Sequence, residues 1–162
     1  MEMTLRWYGS KFDTVTLEQI RQIPGVTGVI TTLYDTAPGE VWSRERIAAL
    51  KAEVAAAGLH IAGIESVNVH DDVKAAGKNR DRYIEHYIQT LENLGRADIR
   101  MVCYNFMPVF DWTRTQLDRD LPDGSNALVY YRDQLEKMDP LTGELSLPGW
   151  DSSYKKEDLR EL

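Results

Sequence analysis

Strand-like and helix-like hydrophobic patterns alternate along the first 110 residues or so, and this alternation restricts the fold more than any other feature. Leu5-Arg6-Trp7-Tyr8 reads as a short strand ended by Gly9. Thr16, with Gln19 three residues later, has the capping-box spacing of a helix start. Leu17 and Ile20 supply that helix's apolar side, and Pro24-Gly25 stops it. Val26 to Leu33 is β-branched and apolar, a second strand. After a loop with Pro38-Gly39, Ser43 is a good N-cap for a helix with Ile47, Leu50 and Val54 at helical spacing, and Gly58 is its stop. Leu59 to Val67 is a third strand, followed by a polar loop with Asn68, His70, Asp71 and Asp72. From about Arg80, a longer helix places Ile84, Tyr87, Ile88, Leu91 and Leu94 on one face and ends near Gly95. Met101 to Tyr104 is a fourth strand.

The order β-α-β-α-β-α-β with short links predicts parallel strands joined by right-handed helical crossovers. No strand is followed by G-x-G-x-x-G, so a dinucleotide site loses its main support. Four strands cannot close an eight-stranded barrel. The expected fold class is therefore α/β, either a compact domain or the N-terminal half of a (β/α)8 TIM barrel.

Beyond Phe110 turn signals dominate: Pro122-Asp123-Gly124, Asp139-Pro140, Thr142-Gly143 and Pro148-Gly149, with Ala127 to Tyr131 as a short strand. Ser152 or Ser153 caps a last helix carrying Leu159 and Leu162, with no stop signal after it, which favours truncation. The expected layout is one incomplete barrel domain over 1–162. It comprises β/α units to residue 110, a loop-rich insertion over 111–151 and the start of a further helix over 152–162.

Composition narrows the partners. A net charge of -7 argues against nucleic acid and anionic membranes. A single cysteine, Cys103, excludes an internal disulfide. The N-terminus lacks a signal-peptide pattern, and no apolar run is long enough for a bilayer, so a cytoplasmic protein is expected.

In parallel α/β folds ligands bind at the carboxyl ends of strands. The third strand ends in Glu65-Ser66, with Asn68 and His70 just beyond, and the fourth ends in Tyr104-Asn105. These groups are suited to a polyhydroxylated substrate, or Glu65 is an ion-pair partner and Asn105 a turn former. Trp112 and Arg114 form a lid with a carboxylate-binding guanidinium, or they pack and pair at the surface. Arg6-Trp7-Tyr8 is either a packed barrel floor or a wall of the mouth. His70-Asp71-Asp72 falls short of a metal site, since no spacing such as H-E-x-x-H accompanies it. Cys103 reads as a buried structural thiol, and Tyr83 and Tyr87 as core or helix-packing residues rather than site groups.

Three blocks resemble the mannonate dehydratase family. They are Arg6-Trp7-Tyr8-Gly9, Glu65-Ser66-Val67 with His70-Asp71-Asp72, and the long run from Val102-Cys103-Tyr104-Asn105-Phe106-Met107 to Trp112-Thr113-Arg114. Leu121-Pro122-Asp123-Gly124-Ser125 and Leu147-Pro148-Gly149-Trp150 extend the likeness in register. The resemblance implies a xylose-isomerase-like TIM barrel that dehydrates D-mannonate to 2-keto-3-deoxy-D-gluconate in hexuronate (glucuronate) catabolism. It implies Mn2+ or Fe2+ in a complete enzyme, expected to be a homo-oligomer. The proton next to the carboxylate leaves, followed by the 3-hydroxyl.

Family members are more than twice this length, and their metal ligands and main acid/base groups fall beyond Leu162. Cys103 does not match their ligand cysteine. The chain is then expected to supply one pocket wall, with Trp7, Glu65, His70, Tyr104, Asn105, Trp112 and Arg114 as substrate-binding candidates. His70 and Asn105 would hold hydroxyls, Arg114 the carboxylate, and Trp112 would exclude water. Alone, such a fragment is expected to be inactive. The alternatives are another sugar isomerase or epimerase barrel, or a non-catalytic remnant of a disrupted gene.

Overall fold

The computed structural model describes residues 2–106 and 114–135. They belong to two compact units that divide between residues 107 and 108. In the first unit the elements run β1 (Met3–Arg6), α1 (Leu17–Arg21), β2 (Val26–Thr31), α2 (Arg44–Ala56), β3 (His60–Asn68), α3 (Asp71–Lys74), α4 (Arg80–Arg96) and β4 (Val102–Asn105). The four strands form one sheet in the order β1-β2-β3-β4, every neighbouring pair parallel. Sequential parallel strands joined through helices are the arrangement of half a (β/α)8 barrel.

Local chemistry sets the helix starts. The Thr16 hydroxyl accepts the Gln19 N–H at 3.2 Å, and the Gln19 side chain accepts the Thr16 N–H at 2.9 Å, so the capping box of α1 is closed. The Ser43 hydroxyl accepts the Arg46 N–H at the start of α2. Beyond that helix, Gly58 adopts a φ of +74°, a conformation that favours glycine. Leu17 and Ile20 of α1, and Ile47 and Val54 of α2, meet Val26 and Val29 of β2 and Ile64 of β3 in the core.

The structure departs from the sequence reading at several places in this unit. First, Asp71–Lys74 is a helical turn rather than loop. His70 caps it and Asp71 and Asp72 fill its first turn, where the partial positive charge of the helix end favours carboxylates. Second, β1 ends at Arg6, although the Trp7 N–H still bonds the Ile30 carbonyl at 2.9 Å.

Third, α4 buries Thr90, Asn93 and Leu94, while Ile84, Ile88 and Leu91 are exposed. Thr90 and Asn93 are inside because they bond the backbone of the buried Trp42. The Trp42 N–H donates to the Thr90 hydroxyl at 3.1 Å, and the Asn93 amide donates to the Trp42 carbonyl at 2.9 Å. Fourth, Cys103 is exposed, not buried. Its strand pairs only with β3 among the described strands, and no described residue buries the face on which Cys103 lies.

In the second unit, β5 (Gln116–Asp120) and β6 (Asn126–Val129) form an antiparallel hairpin, followed by α5 (Arg132–Leu135). Gly124, at φ +83°, turns the chain. The Asp123 carboxylate accepts both the N–H and the hydroxyl of Ser125, which rigidifies the turn. The expected strand near Ala127 is present, but its partner β5 was not anticipated. Residues 111–113 and 136–151 of the expected insertion, and the expected helix over 152–162, lie outside the described residues. No helix among the described residues is long and apolar enough to cross a membrane.

Candidate functional site

The carboxyl ends of β1 to β4 open onto a cavity of about 360 Å3, shared with the loop after β2 and one side of α4. Arg6, Glu65, Ser66, Asn68, His70 and Asn105 all reach it. An ordinary strand turns alternate side chains to opposite faces. Here four consecutive residues, Glu65 to Asn68, line one cavity, and the β3–β4 register shifts between Ile64 and Val67. Such an irregularity re-aims side chains at the end of a strand.

Three charged or phenolic groups form the wall at β1. Arg6 Nη1 pairs with Glu65 Oε2 at 2.5 Å, while Arg6 Nη2 and Nε both donate to the Tyr34 hydroxyl, at 2.6 and 3.1 Å. The guanidinium also lies over the Tyr8 ring, 4.9 Å from its centre. Burial would lower the Arg6 pKa, but its bonds to Tyr34 and Glu65 outweigh this and raise it. Burial pushes the Tyr34 phenol up, against the opposing pull of Arg6. Arg6 is therefore a fixed cation and Tyr34 a neutral phenol at physiological pH.

A second wall is a relay of neutral groups. The Asn105 amide donates to Ser66 Oγ at 2.8 Å, and Ser66 Oγ donates onward to Asn68 Oδ1 at 3.0 Å. The Thr32 hydroxyl donates to the Ser66 carbonyl at 2.8 Å, tying β2 to the same point on β3. The relay orients the Asn105 amide across the mouth.

His70 forms a third wall. Its Nδ1 accepts the Asp72 N–H at 3.0 Å, so in the neutral ring the proton resides on Nε2. Its face stacks on Tyr83, with centres 3.6 Å apart and planes at 13°. Tyr83 in turn meets the edge of His86, whose Nδ1 lies 2.7 Å from the Gly39 carbonyl. Gly39 has a φ of +84°, and a Cβ there would come within 2.6 Å of Tyr83 and 2.8 Å of His70. Only glycine lets this loop approach the stacked rings.

Of the seven substrate-binding candidates, Glu65, His70 and Asn105 converge on the cavity. Trp7 is in the core, 2% exposed, with no described partner for its indole N–H. Tyr104 is 70% exposed and is not among the residues around this cavity. Trp112 lies outside the described residues, and Arg114 belongs to the second unit. Tyr34 was not anticipated; of the two tyrosines expected in the core or in helix packing, Tyr87 packs against the core and both line the cavity. Among the described residues no three His, Cys, Asp or Glu side chains converge, so they do not fit a divalent metal by themselves.

The sequence matches the family model of D-mannonate dehydratase (UxuA) over residues 1–162. A mannonate dehydratase of Streptococcus uberis is 57% identical across the whole chain, which covers 46% of that relative. Mannonate dehydratase 2 of Halalkalibacterium halodurans is 54% identical over 160 residues, 99% of this chain and 46% of the relative. The crystal structure of mannonate dehydratase from Streptococcus suis serotype 2 superposes with a TM-score of 0.83 at 45% identity, covering 99% of this chain and 46% of that one. The chain thus spans a little under half the length of these relatives. With family model, relatives and fold in agreement along its whole length, the chain belongs to the D-mannonate dehydratase family.

Proposed function

We propose that this chain is the N-terminal substrate-binding wall of a mannonate dehydratase, a carbon–oxygen lyase that converts D-mannonate to 2-keto-3-deoxy-D-gluconate and water. The observation that carries the reading is the convergence of Glu65, His70 and Asn105 on one cavity at the strand mouth, in a chain of this family. A sugar acid offers a row of hydroxyls that both donate and accept. His70 Nε2–H is a donor to one hydroxyl, the Asn105 amide bonds another, and the Glu65 carboxylate accepts from a third. The blocks that resemble the family also offer Arg114 for the substrate carboxylate and Trp112 for excluding water. Trp7 contributes through packing and Tyr104 as an exposed ring on β4.

The acid and base that move protons, and the ligands of Mn2+ or Fe2+, lie outside this chain in this reading. The working protein is a cytoplasmic homo-oligomer acting in hexuronate breakdown. The layout is one incomplete barrel domain, with the residues after β4 inserted before the next barrel helix.

Intact mass of the natively expressed protein, measured with D-mannonate dehydration in the presence of Mn2+, tests this. A mass more than twice that of this chain, with turnover of mannonate in preference to ketoses and aldoses, is expected. The 162-residue polypeptide produced alone is expected to be inactive. Dehydration by it at a rate comparable to a complete enzyme would overturn the reading.

A further inference from the structure

The Tyr34 hydroxyl receives two N–H groups from one guanidinium, at 2.6 and 3.1 Å. A phenol oxygen carries one hydrogen and a limited capacity to accept. With its accepting side occupied by Arg6, the O–H must point away from Arg6, and it has no acceptor among the described residues. The ring cannot swing freely to relieve this. It sits against Tyr8 and Phe12, with centres 5.6 and 5.8 Å away. Tyr34, Arg6 and Glu65 all line the strand-mouth cavity.

We propose that Arg6 is a positioning residue that aims the Tyr34 O–H as a directed donor and the Glu65 carboxylate as an acceptor, so that the pair selects neighbouring hydroxyls of a polyhydroxy acid. This rests on the sugar-acid reading above and adds a specificity determinant to it. Arg6 commits all three of its nitrogens to Tyr34 and Glu65, which fixes both groups relative to one rigid fork. A neutral phenol is what the role requires, and burial keeps Tyr34 protonated. Lysine could hold Glu65 as a point charge, but it lacks the rigid fork that engages Tyr34 at the same time.

The test is calorimetric binding of D-mannonate and its monodeoxy analogues to the natively expressed protein and to its Tyr34→Phe, Arg6→Lys and doubly substituted forms. Loss of one neutral hydrogen bond predicts about two- to tenfold weaker D-mannonate binding for Tyr34→Phe. Against one particular deoxy analogue, Tyr34→Phe and the unaltered protein should bind equally. Arg6→Lys should also weaken D-mannonate binding, and the double substitution should add little to either single one. Equal weakening against every analogue, or unchanged D-mannonate binding by Tyr34→Phe, would overturn the proposal.

A Raman difference spectrum of the tyrosine ring modes, taken against Tyr34→Phe, reports the hydrogen-bond state of Tyr34 without any ligand. That signature should change in Arg6→Lys, and an unchanged one also overturns the proposal. If the unaltered protein does not bind D-mannonate, the substrate reading fails, while the spectrum still judges the role of Arg6.

Discussion

Two buried threonines offer a controlled comparison, because the same substitution should act oppositely at each. Thr90 is 1% exposed and Thr31 0%. The Thr90 hydroxyl accepts the Trp42 N–H at 3.1 Å, whereas the Thr31 hydroxyl has no partner among the described residues. Valine nearly preserves the volume of threonine and replaces the hydroxyl by a methyl group. At Thr90 the exchange strands a buried backbone N–H, which costs about 1–3 kcal/mol. At Thr31 it removes a buried polar atom that makes no bond, so stability should be unchanged or rise by up to about 1 kcal/mol.

The two variants should therefore differ by at least about 1 kcal/mol. Urea unfolding of the natively expressed protein, followed by tryptophan fluorescence, measures this. Trp42 and Trp7 both lie in the core and report its loss. The slope with denaturant should be the same for both variants, so that midpoints can be compared directly. Equal midpoints, or a larger loss for Thr31→Val than for Thr90→Val, would show that hydroxyl pairing does not govern these positions.

Other consequences are also measurable. Gly39→Ala should destabilise the protein by about 1–2 kcal/mol through its positive φ alone. It should also push Tyr83 off His70, which would move the ring-current-shifted NMR signals of His70; unmoved signals would count against the stack. The Asp13 carboxylate accepts the N–H groups of Tyr8 and Val15, at 3.0 and 2.9 Å, and these bonds hold its pKa below the ordinary 3.8. A depressed folded-state pKa contributes stability that is fully present above pH 3.8 and is lost as pH falls through the lower folded value. Asp13→Asn should flatten that part of the acid-unfolding curve, and an unchanged curve would refute the assignment.

The fold was legible where its signals are short in sequence. Thr16 and Gln19 close their capping box three residues apart, so the spacing alone announces the start of α1. The strands β1 to β4 were readable because apolar runs alternate with helical periods. Tyr34 was not, because its role is conferred by Arg6, 28 residues away, and nothing in Thr32-Leu33-Tyr34 marks it. The exposure of Cys103 was not legible because an apolar strand does not say whether both of its faces are packed. β5 escaped notice because Gln116–Asp120 carries a single apolar residue, Leu117, and its pairing is enforced by the turn and by β6. Along α4 the apolar stripe pointed to Ile84 and Ile88 as core, whereas two polar side chains hold the inside position by serving Trp42.

The strand order has a bearing on how the chain is made. Each strand pairs with the one immediately before it in sequence, from β1 through β4. A nascent polypeptide emerging N-terminus first always has the edge it needs already waiting, so the sheet can grow by accretion without long-range search. The Trp42 backbone is the exception. Its two bonds come from Thr90 and Asn93, 48 and 51 residues later, so the Trp42 end of the loop after β2 stays unlatched until most of α4 has left the ribosome. That loop bears Tyr34 and Gly39, and the cavity mouth is accordingly among the last parts of this unit to set.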